Sequence, residues 1–484
     1  MDRVTKLIKP MFAELNRLVA LDNVTFEGLG SIPAINSIRK AERKLQLRFK
    51  ATLNQDLLDA ANSPSLGEML VHTPDHTYVI ENNQAYFDEL NLLYGKEQTF
   101  TMSISALRDI EECEGFLRLV VPIDKNYWSH KLCTSTFQTE SLFSNSLMIL
   151  KLDEGCVHIY TVTDGQTNQK YLVVEPQYEV TKDILFNIHY AVAVGLGIIT
   201  GTAFFGEAYV LVGDSIEFKT YKAASYYSLR DSVQSQYATF STNSFWLELL
   251  LKQGRYNNYA LEMIRDEKGK VKSELVDRLG EETCGKIIKN MYLYPEFARA
   301  AMILIDGTDK ALDYQAAMYA VALETLCTKL KKIYGMQFDG IIKDKGKWTR
   351  IRKPMTKVFR DSCNQYGIDK HSKDRIENGI SKLNEISNSE KFKLVIERLG
   401  LHMMASDYDA IDQRNYLLHG ELVKKISGAS TDFDDMFYYS LVLHRLCTAI
   451  IFKYAGYNGC LVNNAVLMDR KPACEKKEPV LFEI

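Results

Sequence analysis

Three polar side chains lie within six positions near the C-terminal end of the chain, in residues 411–420. They are Arg414, Asn415 and His419. A guanidinium can hold a phosphate through two parallel hydrogen bonds, and an imidazole gains and loses a proton close to neutral pH. Together these groups could bind a phosphodiester and move protons to and from it.

The residues around this motif predict a helix over 406–419. Ser406, with Asp409 three positions later, is typical of a helix N-terminus. Gly420 is typical of the position just after a helix, where a left-handed backbone conformation is common. The three polar side chains are therefore expected near the C-terminal end of one helix.

On that helix Asn415 and His419 are four residues apart and share one face. Arg414 points about 140° away from His419 at roughly 100° per residue, but its long side chain can reach around the helix. A second interpretation requires no chemistry. In it, Arg414 pairs with Asp412 or with a neighbouring helix, and His419 only caps the helix end. The spacing alone does not decide between the two.

The composition limits the class of protein. The chain has 484 residues, enough for two or three domains, and its 25% charged and 46% hydrophobic residues are typical of soluble globular proteins. The net charge of −3 gives no global sign of nucleic-acid or membrane binding, so any such site must be local. Nine scattered cysteines without a CxxC pair indicate reduced thiols. We therefore expect a cytoplasmic protein.

No signal peptide and no membrane-spanning segment are predicted. The N-terminus is amphipathic and contains acidic residues, unlike a signal peptide. The apolar stretch 184–205 approaches spanning length, but Asn187, His189 and several glycines and threonines interrupt it. We predict a buried helix that is followed by a turn at Gly201, and no membrane partner.

No cofactor or metal is expected. His72 and His76 enclose Pro74, so they cannot form the ligand pair of a metal-binding helix. Cys156 and His158 are only a same-face pair on a predicted strand. Both pairs fit ordinary structural positions better than ligand positions.

The hydrophobic pattern divides the chain. Residues 1–60 predict helices, whereas residues 76–182 predict strands, because short alternating runs are separated there by turn-forming residues. A helix over 183–199 and a strand over 207–212 follow. The later predicted helices are 244–253, 273–279, 283–305, 310–334, 354–366, 372–398, 406–419 and 433–455.

These patterns predict an α+β protein. Its parts are a β-rich N-terminal domain at 1–225, a helical connector at 226–284, an all-α bundle at 285–468 and a C-terminal tail at 469–484. The tail is expected to be loose.

A basic segment precedes the motif. Between Lys329 and Arg360 the chain has eleven basic residues and two acidic ones, although its overall net charge is −3. Phosphates could pair with the cations while bases stack on aromatic rings. The alternative is a solvated connector between helices. The residues that we predict to contact RNA are Lys343, Lys345, Lys347, Trp348, Arg350 and Arg352.

Residues 285–460 resemble the HEPN superfamily of helical nucleases. Its motif is an Arg followed by a His after four to six residues, commonly with Asn directly after the Arg, as in Arg414, Asn415 and His419. An Ala/Leu-rich helix that carries Glu324 and a long closing helix also fit the family. The β-rich region in front is similar in architecture to the ApeA-like abortive-infection proteins of bacteria.

The resemblance implies a metal-independent endoribonuclease of phage defence, without a cofactor, that works as a homodimer or higher oligomer. Two His419 side chains would act as base and acid across one cleft, paired Arg414 groups would bind phosphate, and Asn415 would orient the histidine or the backbone. The substrate would be cellular RNA such as transfer RNA, and the N-terminal domain would sense a phage-derived trigger. The alternative to an enzyme is a non-catalytic helical module that serves in binding or dimerisation.

Overall fold

Strands fill the first half of the chain and helices fill the second. The computed structural model describes residues 3–484 apart from 23, 29–36, 43, 53–54, 64–65, 89–95, 113–114, 124–146, 236–264, 266, 270–278, 420–422, 426–430 and 469–477. Up to residue 234 the described strands form two packed sheets and one two-stranded sheet, and helices dominate from residue 281 to residue 454. The predicted α+β class, with β structure first and a helical half after it, is confirmed. Most of the predicted connector at 226–284 lies outside the described residues.

The strands of the structure are short and, with two exceptions, lie before residue 235. They are β1 (Ala20–Asp22), β2 (Thr25–Glu27), β3 (Ser37–Ala41), β4 (Lys44–Thr52), β5 (Met69–His72), β6 (Thr77–Ile80), β7 (Ala85–Phe87), β8 (Glu97–Ile104), β9 (Ala106–Asp109), β10 (Phe116–Ile123), β11 (Leu147–Lys151), β12 (Cys156–Thr163), β13 (Lys170–Pro176), β14 (Thr202–Ala203), β15 (Glu207–Gly213), β16 (Tyr221–Ser228), β17 (Val233–Gln234), β18 (Cys460–Val462) and β19 (Leu481–Glu483).

The helices carry the second half of the chain. They are α1 (Arg3–Leu18), α2 (Gln55–Asn62), α3 (Lys182–Thr200), α4 (Glu281–Leu293), α5 (Pro295–Asp306), α6 (Leu312–Ile333), α7 (Lys345–Gln365), α8 (Lys370–Lys382), α9 (Asn388–Arg398), α10 (Ala405–His419), α11 (Asp432–Tyr454) and α12 (Asn464–Met468).

A large antiparallel sheet separates two cores. Ten of the described strands form it, in the order β11-β12-β13-β10-β15-β16-β9-β6-β5-β2. Side chains alternate across the sheet, so Leu117, Leu119 and Val121 of β10 face α3 while Val120 faces the other side. Both faces of the large sheet are apolar because other parts of the chain pack against each of them.

A smaller sheet and α1 cover the second face of the large sheet. Five described strands form the smaller sheet, in the order β1-β3-β4-β8-β7. The prediction of helices over residues 1–60 is wrong where β1 to β4 lie. In β4, Leu45, Leu47, Phe49 and Ala51 are buried and the residues between them are not. The alternation at every second position outweighs the apolar spacing of three and four that suggested a helix.

The helix predicted at 183–199 lies at the centre of the molecule as α3. Thr181 caps its start by accepting from the N–H of Ile184, and Gly201 ends it at a φ of 88°. In the described part of the chain α3 is the one helix long and apolar enough to cross a membrane, and 72% of its most apolar window is buried inside the protein. It packs on the large sheet and on α4 and α5, so one apolar core runs from the strands into the helical half. This packing is that of a core helix in a soluble protein.

Two of the long predicted helices are each divided in the structure. The helix predicted at 283–305 is broken where Pro295 begins α5. The helix predicted at 372–398 is broken before α9, where Ser387 and Glu390 form a capping box. The other predicted helices from 310 onward are present with shifted ends, whereas 244–253 and 273–279 lie outside the described residues, apart from Leu279.

The end of the chain is not loose. β19 pairs with β18 in an antiparallel register that places Phe482 opposite Leu461. Glu478 and Ile484 are buried. The expectation of a loose tail is therefore wrong for residues 478–484, because their buried side chains and backbone hydrogen bonds attach them to the helical half.

Candidate functional site

The motif lies on α10, which begins differently from the prediction. The helix starts at Ala405, and the buried Ser406 is inside it, accepting a hydrogen bond from Nη2 of Arg445 at 3.0 Å. The carboxylate of Asp407 accepts from the N–H of Met404 at 2.7 Å. The predicted N-terminal cap at Ser406 is therefore wrong, and the predicted cap at Gly420 falls outside the described residues.

The three motif residues differ in exposure. Asn415 and His419 are exposed on one side of α10, and His419 is in its last turn. Arg414 is buried, with only 2% of its surface exposed. The helix thus presents an amide and an imidazole to solvent and turns the guanidinium into the protein.

The buried guanidinium of Arg414 has unusual surroundings. Its Nη2 donates to Oδ1 of Asn415 at 2.8 Å, and the ring of Phe392 on α9 lies 4.5 Å from its Cζ. Among the described residues its Nε and Nη1 make no hydrogen bond. Burial lowers the pKa of Arg414, while the nearby Glu324 opposes that shift. The cation is held in place but is incompletely satisfied.

Glu324 is a residue of this site to which the sequence assigned no role. It projects from α6 with half of its side chain exposed, and its Oε2 lies 3.8 Å from Nη1 of Arg414. Cys327 lies one turn further along α6, where burial raises the pKa of its thiol, so it is not a nucleophile. No local pattern indicates the Glu324 contact, since it joins positions 90 apart in the chain.

The non-catalytic interpretation gave Arg414 a structural partner, either Asp412 or a neighbouring helix. Asp412 is not that partner, because it accepts two hydrogen bonds from Nζ of Lys393 on α9, at 2.8 and 2.9 Å. The contacts of Arg414 with Glu324 of α6 and Phe392 of α9 fit the second option, and within the described part of the chain the half-exposed Glu324 supplies its only close negative charge.

A buried ionic network anchors the start of α10. Arg445 of α11 donates to Asp407, and its Nη1 donates to Oε2 of Glu478 at 2.8 Å. The same carboxylate accepts from the Tyr438 hydroxyl and from Nδ2 of Asn463. This network joins α10, α11 and the end of the chain, and so sets the position of the helix that carries the motif.

The network predicts a pH dependence. Burial alone would raise the pKa of Glu478, but the charge of Arg445 and the hydrogen bonds lower it from 4.5 to about 2. A carboxyl whose folded pKa is lowered stabilises the fold above its unfolded pKa, and this stabilisation is lost as the pH falls through the folded pKa. We expect the free energy of unfolding to fall by about 3 kcal/mol between pH 4.5 and 2 through this group.

Urea unfolding at a series of pH values tests this expectation. The Glu478→Gln variant should be less stable than the parent at pH 7, because Arg445 loses a charged partner. It should also lose less stability than the parent on acidification. An equal acid dependence in parent and variant would contradict the role assigned to Glu478.

The second half of the basic segment is a helix, α7, where the alternative interpretation had a connector, and most of its residues are exposed to solvent. Asp344 caps it by accepting from the N–H groups of Gly346 and Lys347, at 2.8 and 3.0 Å. The Pro at position 354 lies inside the helix. Of the predicted RNA contacts, those that are exposed are Lys343, Lys345, Lys347 and Arg350, whereas Trp348 and Arg352 are half-buried.

The aromatic residues near the basic helix are less available than the sequence suggested. Trp348 is half-buried, and Nζ of Lys331 lies 5.1 Å from the ring centre of Phe338. The structure therefore favours pairing of phosphates with lysines over stacking of bases.

We expect replacement of three exposed lysines at the start of α7 to weaken RNA binding and to flatten its dependence on salt. For single strands the slope of log affinity against log salt should fall by about 0.7 per lost phosphate contact. The measurement is fluorescence anisotropy with a labelled RNA at several salt concentrations. The residues to be changed to Gln are Lys343, Lys345 and Lys347.

A matched control changes three exposed lysines in the β-rich half. They are Lys50, Lys96 and Lys222. An equal loss of affinity in the two triple variants would show that only overall charge matters and would contradict a local RNA contact on α7.

Comparison with known proteins does not identify the chain. No family model, no curated protein and no solved structure matches it. The likeness to the HEPN superfamily thus depends on the motif residues and on their helical setting, and it stays a prediction.

Proposed function

We propose that this protein is a metal-independent endoribonuclease that cuts cellular RNA during bacterial abortive infection, through a site shared by two copies of the chain. The observation that carries the proposal is the motif itself in three dimensions. An incompletely hydrogen-bonded, buried Arg414 lies directly beneath a solvent-exposed Asn415, and His419 is one turn further along the same helix.

The energetic cost of this arrangement supports a functional role. A buried polar group without a partner costs about 1–3 kcal/mol, and more when it is charged. In the described part of the chain, two nitrogens of Arg414 carry that cost. An apolar side chain would pack against Phe392 without it. Such costs are concentrated at functional sites, where the charge is needed for chemistry.

The chemistry follows from what RNA cleavage requires. A base removes the proton from the 2′-hydroxyl, the oxygen attacks the adjacent phosphorus, and an acid gives a proton to the departing 5′-oxygen. The products are a 2′,3′-cyclic phosphate and a 5′-hydroxyl. One chain supplies a single motif histidine, so His419 and the partner's His419 share the two roles across a twofold axis.

Arg414 has a different task from the one the motif alone suggests. Its side chain is almost fully enclosed, so it reaches a phosphate only by turning outward past Asn415. In the enclosed position it fixes the Asn415 amide and supplies positive charge below the surface where negative charge develops on the phosphate. In the resting state, the negative charge of Glu324 partly offsets the positive charge of Arg414.

The N-terminal half is assigned the sensing role, with a phage-derived component as the trigger and the cytoplasm as the location. The continuous core from the large sheet through α3 to α4 and α5 supports this assignment. A ligand that shifts the sheet therefore acts on the helical half through this packed core.

One observation favours a second candidate, a non-catalytic binding or dimerisation module. The helices α7 and α8 expose several large apolar side chains, as a protein-binding surface does. Under that function the motif would only stabilise the helical half.

Incubation of the purified full-length protein with transfer RNA and messenger RNA, in the presence of EDTA, tests the proposal. We expect fragments that end in 2′,3′-cyclic phosphate from the parent and none from the His419→Ala variant. Equal degradation by both proteins would overturn the proposal. A growth assay with and without phage challenge tests the biological role, and no protection by either protein would favour the binding module.

A further inference from the structure

Tyr416 is an exposed aromatic residue inside the motif, between Asn415 and His419. Its side chain is 45% exposed. Among the described residues it makes no hydrogen bond, ion pair or ring contact. An aromatic ring in water offers a face on which another planar group can stack. Tyr416 is therefore a candidate for contact with a ligand.

Tyr416 lies on the solvent side of α10 together with His419. The two are three residues apart, so they are neighbours on the helix surface, and both are exposed. The packed side of α10, with Arg414 and Leu417, points away from them. Side chains on a helix lean towards its N-terminus, which directs Tyr416 over the turn before it. A strand of RNA that leaves His419 towards the start of α10 meets Tyr416 next.

The chain returns along α10 after the helix ends. The backbone N–H of Lys424 donates to Oε1 of Gln413 at 2.8 Å. Gln413 precedes Tyr416 by three positions, so these two residues are also neighbours on the helix. Val423 belongs to the apolar core, which attaches the returning segment 423–425 to the helical half. The contact places this segment beside the turn towards which Tyr416 leans.

The returning segment carries two positive charges. Lys424 and Lys425 are both exposed, and neither side chain forms an ion pair with a described residue. By contrast, Lys393, which lies against the same helix, is bound to Asp412. A lysine without an acidic partner can bind a phosphate without first giving up an internal ion pair.

The ring and the two lysines together match the chemistry of an unpaired nucleotide. A base that is not stacked on its neighbours can stack on a tyrosine, while the phosphates beside it pair with lysines. In a duplex the bases are stacked on each other and paired, so none of them reaches a protein ring. The exposed Asp409 lies two turns before Tyr416 on the same side of α10, and its negative charge ends the surface that suits phosphates.

We propose that Tyr416, Lys424 and Lys425 form a subsite for one unpaired nucleotide of the RNA, next to the phosphate on which His419 acts. The base stacks on Tyr416, and the lysines pair with the phosphate beyond it. This proposal deepens the proposed function and rests on it for the presence of RNA at His419. Stacking on a ring tolerates every base, so the subsite selects an unpaired nucleotide and not a base sequence.

Binding of an uncleavable RNA tests the subsite independently of cleavage. The probe is a short, labelled, single-stranded 2′-O-methyl RNA, and its affinity for the full-length protein is measured by fluorescence anisotropy. We expect Tyr416→Ala and Tyr416→Leu to weaken binding about tenfold and Tyr416→Phe to leave it unchanged, because stacking requires only the ring. The control is Tyr86→Ala, at a 40% exposed tyrosine of the β-rich half, which should bind like the parent.

A strand of the same length without bases shows whether Tyr416 contacts a base. It should bind less tightly to the parent than the complete RNA does, and the parent and Tyr416→Ala should bind it equally. If Tyr416→Ala weakens binding of the strand without bases as much as binding of the complete RNA, Tyr416 does not stack on a base and the proposal is wrong.

The dependence of affinity on salt tests the two lysines. For the Lys424→Gln, Lys425→Gln variant the slope of log affinity against log salt should fall by about 1.4, that is, about 0.7 for each lost phosphate contact. The matched control is Lys50→Gln, Lys222→Gln, at two exposed lysines of the β-rich half, which should keep the slope of the parent. Equal slopes in the two double variants would exclude the lysines from the subsite.

Sedimentation velocity separates an RNA contact from a contact between chains. Tyr416→Ala should have the same oligomeric state as the parent, and a change would make Tyr416 an interface residue and overturn the proposal. If RNA binding behaves as expected but the parent does not cut RNA, the subsite stands and the proposed nuclease function fails. If the parent cuts RNA but Tyr416→Ala binds the single strand like the parent, the nuclease function stands and the subsite fails.

Discussion

Replacement of His419 by alanine is expected to lower the rate of RNA cleavage by at least about a hundredfold, because each transition state loses a general acid or base. The free energy of unfolding should change by less than about 0.5 kcal/mol, since the side chain is exposed at the end of α10. The measurements are the initial rate on a labelled transfer RNA in EDTA and the urea midpoint. His402 is an exposed histidine just before α10, and His402→Ala is the matched control.

The same variant measures how many chains form one site. If two His419 side chains are needed together, equal amounts of parent and His419→Ala chains, after exchange, should retain a quarter of the activity of the parent alone, since random pairing puts two parent chains in one dimer in four. If each chain cuts RNA alone, half of the activity remains. A value of one half would contradict the shared site, although His419 would still be catalytic.

Replacement of Arg445 by alanine is expected to destabilise the protein by about 3–5 kcal/mol, the usual cost of removing one partner from a buried ion pair. The guanidinium is fully buried and is bound to both Asp407 and Glu478. Without this guanidinium, the buried carboxylates of Asp407 and Glu478 lose the cation that pairs with both of them. Urea unfolding at pH 7 gives the magnitude, and Arg398→Ala, at an exposed arginine of α9, serves as the control.

The pH dependence of the Arg445→Ala variant should have the opposite sign to that of the parent. Without the cation, burial raises the folded pKa of Glu478 above its unfolded value. Protonation therefore favours the folded state, so the variant should gain stability relative to the parent as the pH falls from 7 toward 4.5. A triple change that adds Asp407→Asn and Glu478→Gln should recover part of the loss. If it recovers none, the cost comes from the cavity alone.

The fold class could be predicted from the sequence because the patterns that indicate it are local. The strand β12 alternates apolar and more polar residues, and turn-forming residues such as Asp164 and Gly165 separate it from the short apolar run of β13. The helices from α6 onward show apolar residues at spacings of three and four. Both signals depend on residues close in the chain, so one sequence was enough to detect them.

The errors arose where two local signals compete or where contacts are distant. In β4 the apolar residues satisfy both a period of two and spacings near four, and only the sheet pairing with β8 decides for a strand. The end of the chain looked loose because nothing local shows that Glu478 meets Arg445, 33 positions earlier. Ser406 looked like a cap because the sequence does not show that Arg445 uses its hydroxyl.

By itself, the sequence determined that Asn415 and His419 share one helical face, because a spacing of four is a property of any helix. It also determined that positive charge is concentrated near α7. The tertiary structure decided that Arg414 is buried against Phe392, that Glu324 lies within 3.8 Å of it, and that α7 is exposed along most of its length. These features depend on how α6, α9 and α10 pack together, and packing joins residues whose separation in the chain leaves no local pattern.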